Sequence, residues 1–208
     1  MNDARASRTL GNMWVRGAAI RPVPAFAVVH NEMLDDVESD LARGGEVVRS
    51  DLDQAFERFE NTQPIVSDYI ADVLSGPLDE TALALGYFLS VAVWLAFDRS
   101  FGARLGIVTE DVLADTVASV RAEEELRRDR AAEPLDVDDI IAIEQPHILK
   151  FVHAHVEAAL EVDADATNEV DVDDVHYVYR AILVLTLAMS RAVAHPAGFD
   201  TRLLSCVS

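Results

Sequence analysis

Residues 163 to 174 read Asp-Ala-Asp-Ala-Thr-Asn-Glu-Val-Asp-Val-Asp-Asp, and oxygen-bearing side chains recur there at Asp163, Asp165, Thr167, Glu169, Asp171 and Asp174. Hard divalent cations take about six to eight oxygen ligands, so a short segment alternating carboxylates with small residues could wrap a Ca2+ or Mg2+ ion. A second pattern, Glu144-Gln145-Pro146-His147, sets a carboxylate and an imidazole three residues apart. On a helix that spacing brings both side chains to one face, where they could ligate a transition metal.

The acidic segment resembles a degenerate EF-hand loop, with acids at its first, third, ninth and twelfth positions, Thr167 at the fifth, Glu169 at the seventh and apolar Val170 at the eighth. Asn168 stands where the turn glycine belongs, although Asn tolerates the left-handed conformation, and Asp174 replaces the bidentate glutamate, which would weaken a calcium site. The alternative is a solvated acidic loop whose last carboxylates favour the next helix N-terminus through its dipole. Glu144 and His147 are similar to part of a ferritin-like dimetal site, which needs a second Glu-x-x-His and two further glutamates from other helices. Thr62 and Ile65 occupy the matching positions earlier in the chain, and Asp173 with His176 is an imperfect substitute. His153 and His155 add nothing, because at about 100° per residue they point to nearly opposite faces.

Other chemistry is sparse. Arg99 and Arg191 are placed to meet terminal carbonyls or a nearby acid, with an anion site as the rarer reading. Trp94, Phe97, Phe101 and Met189 recur at helical spacing, as core residues do. The chain contains no phosphate-cradling glycine loop and no G-x-S-x-G, and its single cysteine, Cys206, can form neither a zinc pair nor an internal disulfide. A non-enzymatic protein in a reducing, cytoplasmic compartment is the expectation. The formal net charge of −20 opposes nucleic-acid binding, because phosphate contacts need cations. That charge is unevenly spread: Arg5, Arg8, Arg16 and Arg21 face only Asp3 near the start, a basic arm before an acidic body. Arg16 and Arg21 also interrupt the apolar residues around them, which argues against a secretory signal.

Helices must position these residues. Periodicity and breakers predict a first helix from Asn31 to Arg43, ended by Gly44-Gly45, and a second from about Ser50 in which Pro64 forces a kink or a stop and restart. The stretch from Leu78 to Gly102 is the most apolar, and its 16 residues from Ala82 to Phe97 carry no charge. Such a run spans about 24 Å, short of a roughly 30 Å hydrocarbon core, so a buried core helix is expected and a membrane span is not. Further helices are predicted from Thr109 to Arg130, from Asp136 to Glu161 with Pro146 in its middle, and from Val172 to Ala194.

These features repeat in order. Gln63-Pro64 aligns with Gln145-Pro146, each followed by an aromatic-aliphatic pair (Tyr69-Ile70, Phe151-Val152), and Tyr87 to Phe101 aligns with Tyr179 to Val193. The paired prolines read as matched kinks. The expected fold is therefore all-α: a single helical domain of about six helices, two diverged three-helix repeats (31–104 and 109–197) packed about a pseudo-twofold axis through two apolar helices. A poorly ordered basic arm, 1–27, would precede the domain at 28–198, and a tail, 199–208, would follow. Function is legible only in outline. The first reading is a non-enzymatic acidic interaction or structural protein that binds a protein partner or forms a homo-oligomer, its basic arm on a neighbour's acidic face. A Ca2+ or Mg2+ module through residues 163–174 and a dimetal enzyme around Glu144 and His147 are the alternatives.

Overall fold

Two prolines decide where helices begin. In the computed structural model, which describes residues 20–42, 45–128, 144–162 and 171–196, helix α2 (Gly45–Thr62) stops before Gln63 and α3 (Pro64–Leu74) starts at the proline. Proline fits the first helical position because its missing N–H would have no intrahelical acceptor there. Pro146 opens α6 (Pro146–Val162) in the same way, so both prolines begin helices and neither kinks one. The expected turns before Pro146, from Asp136, lie mostly outside the described residues. The remaining helices are α1 (Asn31–Ala42), α4 (Glu80–Phe101), α5 (Glu110–Arg128) and α7 (Val172–Ala192). The fold is all-α, with seven α-helices among the described residues.

Helices α4 and α7 form the centre. Asp79 caps α4, its Oδ1 accepting from the Ala82 N–H at 2.7 Å, and Asp171 caps α7, its Oδ1 accepting from the Asp173 N–H at 2.9 Å. The caps are also bonded to each other: Asp79 Oδ2 accepts from the Asp171 N–H (3.0 Å), and Asp174 Oδ2 accepts from the Asp79 N–H (2.8 Å). At the far end Leu105 and Val193 form an antiparallel bridge, with Gly106 N–H donating to the Ala192 carbonyl (2.9 Å) and Ala194 N–H to that of Arg104 (2.7 Å). The two helices therefore run parallel. Parallel neighbours bring like dipole ends together, and the acids at the shared N-terminus with Arg99 and Arg191 in the last turns counter both ends.

Gly86 lies where α3, α4 and α7 converge. A Cβ there would meet Leu74 Cδ2 at 2.5 Å and Val178 Cγ1 at 3.0 Å, so the approach requires a bare backbone. Around the central pair, α1 and α2 pack on α4, α5 packs on α7, and α3 and α6 each lie on both central helices. At 22 residues α4 is about 33 Å long, long and apolar enough to cross a membrane, which removes the length argument drawn from the uncharged core alone. Of its most apolar window, 67% is buried inside the fold.

The segment leading into α1 departs from expectation. Ile20, Val23, Ala27 and Val29 are buried, so the expected arm, 1–27, gives way to packed chain by residue 20. Pro22 and Pro24 keep this strap out of an α-helix, and only a short 3-10 turn forms, at Ala25–Ala27. An extended buried segment has no 3.6-residue periodicity, which is why it reads as surface chain.

Helix α2 is locked to α4 by Tyr87, whose hydroxyl donates to Asp53 Oδ1 at 2.9 Å and whose ring stacks on Phe56 at 4.8 Å. Burial, then the hydrogen bond to Asp53 and its charge, push the Tyr87 phenol up to about 12. A pKa raised in the folded state contributes stability that is whole below the unfolded value near 10 and is lost as pH rises through about 12. Burial also raises the Tyr69 phenol, so spectrophotometric titration should show one fewer tyrosine ionising above the ordinary range in Tyr87→Phe than in the parent chain. Unfolding stability should fall less between pH 10 and 12 in that variant; equal falls would refute the assignment.

Candidate functional site

Of the six residues expected to hold a cation, Asp171 and Asp174 are described; Asp163, Asp165, Thr167 and Glu169 lie outside the described residues. Asp171 and Asp174 point into the cap network, each accepting a backbone N–H. Helix-capping hydrogen bonds of this kind are worth about 0.5–2 kcal/mol each. Among the described residues no group of three or more His, Cys, Asp or Glu is arranged to hold a metal ion.

Glu144 and His147 are separated by what they touch. Glu144 Oε2 accepts from the Val23 N–H at 2.7 Å, while the His147 ring faces His30 across 6.4 Å. Thr62, at the matching position, donates its hydroxyl to the Arg58 carbonyl. His153 bonds the Tyr179 hydroxyl (2.8 Å), and His155 lies 3.6 Å from Glu38, so these two histidines face α7 and α1, as their angular separation predicts.

The residue between them, Gln145, carries more than either. Fully buried, it accepts the Val29 N–H on Oε1 (3.1 Å) and donates from Nε2 to the Ala27 carbonyl (2.7 Å) and to Ser190 Oγ (2.9 Å). Gln63, also buried, accepts the Val108 N–H (2.9 Å) and donates to the Gly106 carbonyl (3.0 Å). Each glutamine thus holds an extended segment by one N–H and one carbonyl, as a neighbouring strand would. Val29 and Val108 each stand two residues before a helix, α1 and α5. In the sequence the two glutamines stand out only as neighbours of the aligned prolines, and no adjacent residue marks the backbone groups they hold.

The two arginines near the ends of α4 and α7 differ. Arg99 Nη1 pairs with Asp40 at 2.7 Å, whereas Arg191 Nη1 donates to Thr116 Oγ1 at 2.6 Å and its Nη2 is buried with no partner among the described residues. Burial, reinforced by Arg21 and opposed by Asp115, holds the Arg191 guanidinium below its ordinary pKa. Trp94, Phe97 and Met189 are core, as expected, and Arg58 lies 5.3 Å over the Trp94 ring.

Of the five large exposed apolar side chains among the described residues, four gather toward one end, while Ile107 (64% exposed) lies at the other, next to the Gly106–Ala192 hydrogen bond. Val172 (53% exposed) begins α7, Tyr177 (51%) follows on the same helix, and Leu83 (42%) lies one turn into α4. Helix α6 starts beside Ser190, near the end of α7, and about 21 Å of helix carries its exposed Leu160 back toward the start of α7. Asp79, Glu80, Asp171, Asp173 and Asp174 stand at the same end. Compared with family models, with curated proteins and with solved structures, the chain matches none.

Proposed function

We propose that this is a non-enzymatic acidic interaction protein, built from two diverged halves, whose binding face is the end at which α4 and α7 begin. The observation that carries the reading is the exposure of Leu83, Val172 and Tyr177 beside five carboxylates. Charge and apolar surface together suit a segment that is basic and apolar at once. The chain supplies one: residues 1–19 place Leu10, Met13, Trp14 and Val15 among Arg5, Arg8 and Arg16. The strap that follows enters the fold near Arg191, at the opposite end; nineteen extended residues span about 60 Å, enough to reach this face on either copy, and a second copy's arm is the occupant we propose. In this reading α4 is a core helix, not a membrane span, and the protein works as a cytoplasmic homo-oligomer.

Light scattering at low and high salt tests it. Removing residues 1–19, which leaves Ile20 in its buried seat, should lower the oligomer to monomer mass, as should Val172→Glu combined with Tyr177→Glu, and high salt should weaken the parent assembly. An unchanged mass in both variants would rule out docking of the arm.

A further inference from the structure

We infer that the chain is two interlocked halves, divided near Gly102, neither of which folds without the other. This rests on the two-half reading proposed above, though not on the halves' common origin. The polar groups that most need partners find them across the divide. Gln63, in the first half, satisfies the backbone entering α5; Glu144 and Gln145, in the second, satisfy the backbone entering α1. Packing crosses in the same sense: α3 lies on α7 and reaches α5, while α6 lies on α4 and reaches α1. The cap of α4 accepts from the first backbone group of α7's cap, and a carboxylate of α7 returns the bond.

Separation would strand buried amides and carbonyls on both sides. It would also strip the central helix pair, which carries Leu89, Val93, Trp94 and Phe97 on one side and Leu185, Leu187 and Met189 on the other, all but hidden from solvent. Each buried polar group left without a partner forfeits its solvation with nothing in return, and native domains are only marginally stable against several such losses. The covalent connection is by contrast lightly built. Gly102, at φ 49° with open space where a side chain would project, and Ala103 are exposed. The partner that each half's inner face fits is the other half.

The test is a protease site inserted between Gly102 and Ala103 of the full chain and cut after folding. The two pieces are expected to elute together and to unfold in one transition whose midpoint rises with protein concentration more steeply than that of the uncut chain. Should they come apart, both should lose their helical circular dichroism. A midpoint that rises no more steeply than the uncut chain's, or pieces that separate with helicity intact, would overturn the interlock. Failure of the Gly86–Val178 exchange described below would count against a common origin of the halves and leave the interlock standing.

Discussion

Replacing Gln145 with alanine is expected to lower the free energy of unfolding by about 3–5 kcal/mol, measured by urea denaturation. The side chain is fully buried and its loss removes three hydrogen bonds. The larger part of the cost is what remains: the Val29 N–H and the Ala27 carbonyl have no water to turn to, and each stranded group costs about 1–3 kcal/mol. Gln145→Met, which fills most of the volume and bonds nothing, separates this from the cavity and should recover less than half of the loss. Gln63→Ala should act in the same direction and less strongly, because Gln63 holds two partners where Gln145 holds three. A loss below about 1 kcal/mol for Gln145→Ala would mean that the strap finds other partners.

Gly86→Val should cost about 1–3 kcal/mol, although an isolated helix would prefer valine to glycine. Helix propensity loses because the added carbons would strike Leu74 and Val178. The Leu74 contact is the end of a flexible side chain, whereas Val178 is β-branched, stiff and buried. In the two-half reading proposed above Gly86 and Val178 are equivalent positions, and they lie in contact, so Val178→Gly alone opens a cavity of about 2–4 kcal/mol that the same valine, supplied from α4, could fill. The double variant is therefore expected to lie at least about 2 kcal/mol above the sum of the single losses. Strict additivity in denaturant unfolding would show that the two positions do not face each other across an axis.

Much of this was legible beforehand, for physical reasons. The break at Pro64 and the apolar character of α4 are local, resting on a few adjacent residues and the periodicity of one helix. The pairing of Gln63-Pro64 with Gln145-Pro146 was visible too, but the visible signal pointed to the proline. A buried glutamine has the composition of a surface residue, and its partners are backbone groups that no side-chain identity marks. The strap from Ile20 was hidden for a related reason: its hydrogen bonds are made by residues more than a hundred positions away. At the acidic loop the sequence pattern admitted both a cation site and a helix cap, and the two described residues, Asp171 and Asp174, are engaged as caps.

The reach of Gln145 back to Val29, 116 residues apart, also bears on how the molecule is made. At roughly 5–20 residues per second, the strap emerges from the ribosome roughly 6–23 seconds before the amide that will hold it. During that interval α1 and α4 have neither α6 nor α7 against them, and the face that becomes the centre of the protein is open to any apolar surface nearby. Synthesis order thus leaves the strap waiting for its seat until Gln145 appears, and it gives the nascent first half an interval in which its apolar inner face lacks the helices that will cover it.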